Sequence, residues 1–250
     1  MAEAVVTVDG WSALHDTRHF DWTSWKSISE DERNKAIKEF EELIKQWETV
    51  EENKEGSHSI FKVVGNKADL MFIFLRETMD ELEEIKTAIN KSVLGDFLIP
   101  AYSYVSIIEM TMHDPMKAGN DRELSPYVKE RLRPIMPKWE HACFYPMARR
   151  REPEANWFAI DKEERTKLLY EHGMTGRKYA GKVKEIITGS IGLDEWEWGV
   201  TLFAHDPLQF KKIVYEMRFD EVTTKYAEFG DFIMGNYLAT DELAGYLALS

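Results

Sequence analysis

The side chains best suited to chemistry in this sequence are one imidazole, one phenol and a group of guanidiniums. His172 shares a helical stripe, over 161–172, with Arg165, Leu168 and Leu169, so its ring is expected to point where the leucines point and to be buried. Imidazole is a common metal ligand. Gly173 and Gly176 follow and are expected to end the helix, and a histidine in a last turn can equally serve the terminal carbonyls and the helix dipole. Tyr145 lies in the string CFYPMARRR at 143–151, read as the first strand of the second half. A strand tyrosine ordinarily packs, but a phenol beside a redox centre can be oxidised to a radical, which no aliphatic side chain offers. Arg149, Arg150 and Arg151 form the densest basic cluster of the chain, and on composition alone a solvated loop end would account for them. With Arg131, Arg133, Arg177 and Lys178 added from nearby segments, they could anchor a small molecule rich in carboxylates, because guanidinium grips a carboxylate with two parallel hydrogen bonds.

Other motifs are missing. The chain has no Gly-rich phosphate loop, no HExxH and no GxSxG, so phosphoryl transfer, zinc proteolysis and serine hydrolysis lack support. His15, His19, His58, His113, His141 and His205 are scattered without ligand spacing and read as surface or core residues. The net charge of −13 argues against nucleic acid and anionic membranes as partners. Cys143, the single cysteine, excludes an intrachain disulfide and a thiolate zinc cage and fits a reducing compartment. The N-terminal residues lack a basic region followed by an apolar stretch, and the densest apolar run, 70–75, is too short to span a membrane. A soluble, cytoplasmic protein is the expectation.

The elements that must position these side chains follow from periodicity. Ala36, Ile37, Phe40, Leu43, Ile44 and Trp47 recur at helical steps over 29–47, with Ser29 or Asp31 as cap. Strands at 58–64 and 68–75 flank hairpin turn chemistry at Gly65, Asn66 and Lys67. A helix at 78–91 and a strand at 103–110 complete the half. The same order recurs downstream: a shift of 128 lays Leu82, Ile85 and Ile89 on Phe210, Ile213 and Met217, and a shift of 132 lays Ile37 on Leu169 and Phe40 on His172. Each half reads strand, helix, strand, strand, helix, strand. The predicted fold class is therefore α+β, with duplicated ferredoxin-like halves that bury each other's sheets as a dimeric α/β-barrel within one chain. The expected organisation is an N-terminal half at 1–112, a Pro- and Gly-containing linker at 113–137 and a C-terminal half at 138–250. One half offers phenyl where the other offers imidazole, so one ligand per chain is expected.

Several strings carry a family resemblance across essentially the whole length. They are HGMTGRKYAGKVKEIITGS at 172–190, EWGVTLF at 197–203, YEMRFDEV at 215–222, DGWSALHD at 9–16, KADLMFIFLR at 67–76, PAYSYVSIIE at 100–109 and FYPMARRR. The chain resembles the coproheme decarboxylases of Gram-positive bacteria, within the chlorite dismutase-like superfamily. The resemblance implies a homopentamer with porphyrin bound in the C-terminal half, and a reaction in haem biosynthesis. Iron coproporphyrin III, both substrate and redox cofactor, would be converted to haem b by hydrogen peroxide-dependent oxidative loss of two propionate carboxyl groups. It also implies possible contact with a coproporphyrin ferrochelatase. His172 would be the axial iron ligand and Tyr145 the catalytic tyrosine whose radical takes hydrogen from the propionate. Arg131 and a loop from Tyr145 to Arg149, with Pro146, Met147 and Ala148, would hold propionates.

Three positions depart from the family pattern. Arg149 stands where lysine is usual and Glu185 where a distal glutamine is usual, while Thr223 replaces a propionate-contacting serine but keeps a hydroxyl. Two other readings compete. A chlorite dismutase would need a distal arginine, and the charge of Glu185 opposes chlorite. A haem-binding or carrier protein would use His172 and the arginines but have no need of Tyr145.

Overall fold

The structure, a computed structural model, describes residues 6–111 and 125–249. Strand β1 (Thr7–Phe20) opens the chain, and Asp21 caps the short α1 (Trp22–Ser27). Ser29 and Glu32 form a reciprocal capping box that starts α2 (Glu30–Glu52), which runs beyond the predicted end at 47. Strands β2 (Gly56–Val63) and β3 (Leu70–Arg76) form the expected hairpin. Its turn needs Gly65, whose φ of 95° lies in the region that side chains disfavour. A second capping box, Thr78 with Glu81, starts α3 (Met79–Lys91), and β4 (Leu98–Thr111) begins before the predicted 103.

Of the predicted linker, 113–124, with His113, lies outside the described residues. The remainder forms α4 (Pro126–Leu132) and an extended segment, with Leu132 and Met136 buried. Strand β5 (His141–Arg149) is followed by a small hairpin of β6 (Arg151–Glu152) and β7 (Ala155–Asn156). Next come α5 (Lys162–Arg177), β8 (Lys184–Gly189), β9 (Trp198–Ala204) and α6 (Leu208–Met217). The segment after 217 contains a further helix, α7 (Glu221–Tyr226), before β10 (Ala227–Phe229). Strand β11 (Ile233–Tyr237) and α8 (Leu243–Leu247) end the fold.

Two expectations for α5 fail. It continues through Gly173 and Gly176 to Arg177, and the glycine in the left-handed region is Gly181, at φ 77°. A side chain at Gly176 would meet the Met217 terminal methyl at 3.2 Å, so that glycine serves the close crossing of α5 and α6. The stripe is also turned. Arg165 and Leu168 are buried, but Leu169 is 43% exposed, because Leu168 packs with Trp157, Val222 and Tyr226 toward α7.

The architecture is α+β around one antiparallel sheet of nine strands, in the order β10-β5-β11-β2-β3-β1-β4-β8-β9. Strand β5 also pairs with β9, which brings the order back on itself. Within 7–111 the strands lie β2-β3-β1-β4, and within 141–237 they lie β8-β9-β5-β11; β4–β8 and β11–β2 pairings join the two groups. One sheet face of each group turns inward, where Trp11, Phe61, Met71, Ile73 and Tyr104 meet Phe144, Ile186, Phe203 and Ile233. The outer face of the first group is sealed by α2 and α3 through Phe40, Ile44, Trp47, Leu82 and Ile89.

His15 lies in the inner layer, stacked on Phe144 at 4.0 Å with Nε2 2.8 Å from the Thr201 hydroxyl. Burial lowers its pKa from 6.5 to about 3. The unfolded chain takes up a proton below 6.5 and the folded chain does not, so stability falls as pH drops from 6.5 toward 3. The loss at pH 5 is about 2 kcal/mol from this residue. Urea titrations at pH 7 and pH 5 should show it, and His15→Asn should reduce the pH difference by a similar amount; an unchanged difference would refute the assignment.

Candidate functional site

The outer face of the second group carries two of the predicted site residues, Tyr145 and Glu185. Register across β8, β9 and β5 sets Ile187 opposite Val200 and Val200 opposite Tyr145; the next row is Glu185, Leu202 and Cys143. Cross-strand partners share a face, so Tyr145 and Glu185 look the same way, with roughly 12 Å between their Cα atoms from strand spacing and rise. Helix α6 covers the Cys143 end of this face through Phe210 and Ile213. The β8 edge is less covered, and Ile187 is 44% exposed.

Tyr145 is buried, stacked on Phe232 at 4.4 Å and edge-on to Phe229 at 5.8 Å. Burial, reinforced by the Glu185 charge, pushes its phenol pKa well up, while Arg218 and Arg149 pull the other way. The phenol therefore keeps its proton throughout the physiological range. Glu185 is exposed to water, yet the surrounding protein strips enough hydration to raise its pKa, with Arg131 opposing.

His172 corrects its expectation. Its side chain is 32% exposed rather than buried, and Nδ1 lies 2.8 Å from Asp220 Oδ2. Asp220 caps α7, accepting the Thr223 N–H at 2.8 Å and the Thr223 hydroxyl at 3.2 Å. A carboxylate on Nδ1 fixes that nitrogen as the donor and leaves Nε2 for a metal. Among the described residues no three metal-ligating side chains converge. A metal held by His172 would have to bring most of its own ligands, as a porphyrin iron does.

Arg149 ends β5 half-buried, its guanidinium 5.0 Å above the Trp157 ring. Desolvation lowers its pKa, and the Asp220 and Glu197 carboxylates oppose that. Its Nη1 is buried without a hydrogen-bond partner, an unmet donor that a ligand carboxylate would satisfy. Electrostatic reach thus links Tyr145 to Arg149, Arg149 to Asp220, and Glu185 to Arg131. Pro146, Met147 and Ala148 form the strand between Tyr145 and Arg149. Arg151 is largely exposed, the loop-end behaviour weighed for the whole cluster. A recess of about 400 Å³ at the start of α5 is lined by Asp161, Glu163, Glu164 and Glu221 with one cation, Lys167, and its net negative charge disfavours an anion.

Sequence reasoning missed Asp220, Glu197, Trp157 and Arg218. Asp220 had a readable cap signal, an acid just before EVTTKY, but nothing in the string revealed its reach to His172. Glu197 is one acid among 45 Asp and Glu residues and had no local signal.

Comparison with known proteins gives the family. The chlorite dismutase family model matches residues 33–238. A coproheme decarboxylase of Oceanobacillus iheyensis is 82% identical over 249 residues, with 100% of each chain covered. Among solved structures, a haem-binding protein from Thermus thermophilus is 45% identical with a TM-score of 0.94, covering 100% of this chain and 99% of that one. A chlorite dismutase variant from Candidatus Nitrospira defluvii has a TM-score of 0.77 at 19% identity, covering 96% and 95%, a likeness of fold alone. The matched span and the identity over full length establish that the chain belongs to the chlorite dismutase family, among its coproheme decarboxylases.

Proposed function

We propose that this enzyme converts iron coproporphyrin III to haem b by removing two propionate carboxyl groups with hydrogen peroxide. The observation that carries the reading is a run of interactions from the buried Tyr145 phenol to Arg149, whose Nη1 donor is unmet, and on through Asp220 to the tethered His172 imidazole. For each propionate, one hydrogen and carbon dioxide leave, a vinyl group remains, and the two electrons released reduce one peroxide to water. When bound, the iron porphyrin supplies both the acid side chains and the redox centre through which peroxide oxidises them. His172 is the residue to hold the iron through Nε2, with Asp220 setting ring orientation and basicity. Arg149, Arg131 and the Thr223 hydroxyl neutralise or hydrogen-bond the acid arms. Tyr145 gives up one electron and its phenolic proton together and then takes hydrogen from the propionate carbon. A phenol held protonated is the form that has both to give.

The same reading extends to architecture and setting. We infer duplicated ferredoxin-like halves, 1–112 and 138–250 with 113–137 between them, closed as a barrel. The matching strand orders and the return of the sheet through the β5–β9 pairing support this. The family resemblance supports a homopentamer and transient contact with a coproporphyrin ferrochelatase. The single cysteine suits cytoplasmic work, and among the described residues no helix is long and apolar enough to cross a membrane.

Mass spectrometry of the protein with iron coproporphyrin III and peroxide tests the reaction directly: two successive formic-acid losses are expected, and an unchanged porphyrin mass rejects it. Tyr145→Phe should bind the porphyrin normally and fail to convert it, whereas normal haem b production by that variant removes the radical step. Glu185→Gln should keep activity within about tenfold, or 1.4 kcal/mol of barrier. The sign with pH follows from the lost hydration: a raised carboxyl stays protonated and donor-capable at lower pH and loses that form as pH rises. The wild type should therefore decline toward alkaline pH in a way the glutamine variant does not, and parallel profiles would exclude Glu185 from a donor role.

A further inference from the structure

The β5–β9 ladder runs out at the Met147–Trp198 pair. Beyond it, on the β9 side, the main-chain N–H of Arg149 donates to a side chain, Oε2 of Glu197, at 2.7 Å. Glu197 is anchored from both directions: its own N–H donates to the Met147 carbonyl at 3.1 Å, and its carbonyl accepts the Ser190 N–H at 2.8 Å. The side chain is only 8% exposed, with Oε1 3.7 Å from Arg151 Nη1. So confined a carboxylate has little rotameric freedom, and it fixes the strand end from which the Arg149 side chain departs. From that fixed point the guanidinium reaches over Trp157 and keeps Nη1 unpaired. Ligands bind more tightly to groups already held in the bound arrangement, because less ordering is left to the binding step.

We propose that Glu197 is a positioning residue for recognition of the substrate's acid arms, acting by gripping the main chain of Arg149. This rests on the functional reading above and adds a determinant of selectivity: porphyrins with more carboxylates depend on Glu197 more. Glutamine at this position keeps an acceptor for the Arg149 N–H, whereas alanine does not.

The test is a tryptophan-fluorescence titration of the full chain with metal-free coproporphyrin III and with protoporphyrin IX, which carries fewer acid arms. Glu197→Ala should weaken coproporphyrin III binding by about tenfold or more, and protoporphyrin IX by less than about threefold. Glu197→Gln should bring coproporphyrin III back to within about threefold of wild type. Turnover of the alanine variant should show a raised KM with kcat little changed. If alanine prevents folding, Glu197→Asp, too short to reach the same N–H but still charged, carries the comparison. Equal loss of both porphyrins, or a glutamine variant as weak as alanine, overturns the proposal. Failure of the wild type to bind coproporphyrin III defeats the functional reading instead, while equal binding by wild type and Glu197→Ala defeats this inference alone.

Discussion

A sheet with apolar residues on both faces has to be covered twice, and that constraint organises the molecule. Each four-strand group turns one face inward against the other group and gives its second face to helices. The β4–β8 and β11–β2 pairings leave the joined groups few unpaired strand edges, so the inner layer can be built from bulky rings such as Phe61, Phe144 and Phe203 without edge protection. The outer faces are left to the helices.

There the two groups differ. In the first, α2 lies directly on β2, and Phe40 fills the gap with its ring 6.2 Å from Phe72. In the second, α5 packs chiefly on α6 and α7, and the residue aligned with Phe40 is His172, tied to Asp220 and partly open to water. One helix seals its sheet and the other stands over it. The asymmetry exchanges core packing for a polar, partly open position beside α7.

Much of this was legible in the string of residues because local signals decide it. Capping boxes at Ser29 and Thr78, the Gly65 turn and the spacing of Leu82, Ile85 and Ile89 reported helices and hairpins directly. Tyr145 was read on a strand, as found, whereas Arg149, read with its basic neighbours as a loop end, is the last residue of β5. What escaped was tertiary. Gly173 and Gly176 read as helix stops, yet a glycine inside a helix can serve close packing, and only the contact with Met217 distinguishes the two uses. The stripe of leucines suggested that His172 faces the sheet, but α7, which the pattern did not reveal, draws Leu168 aside and leaves the imidazole half open. Asp220 and Glu197 act across 48 residues of sequence on His172 and Arg149, a distance over which no motif speaks.

The shared inner layer also bears on how such a molecule can be dissected. Cutting the chain between its halves would bare Ala142, Phe144, Ile186, Phe203 and Ile233 on the C-terminal piece. At about 2 kcal/mol for each large apolar side chain, the exposed surface would offset much of the 5–15 kcal/mol typical of a whole domain. The portion bearing the imidazole and the phenol is therefore not a module that can be borrowed alone. The first strand group supplies the other side of that inner layer through Trp11, Phe61, Met71, Ile73 and Tyr104.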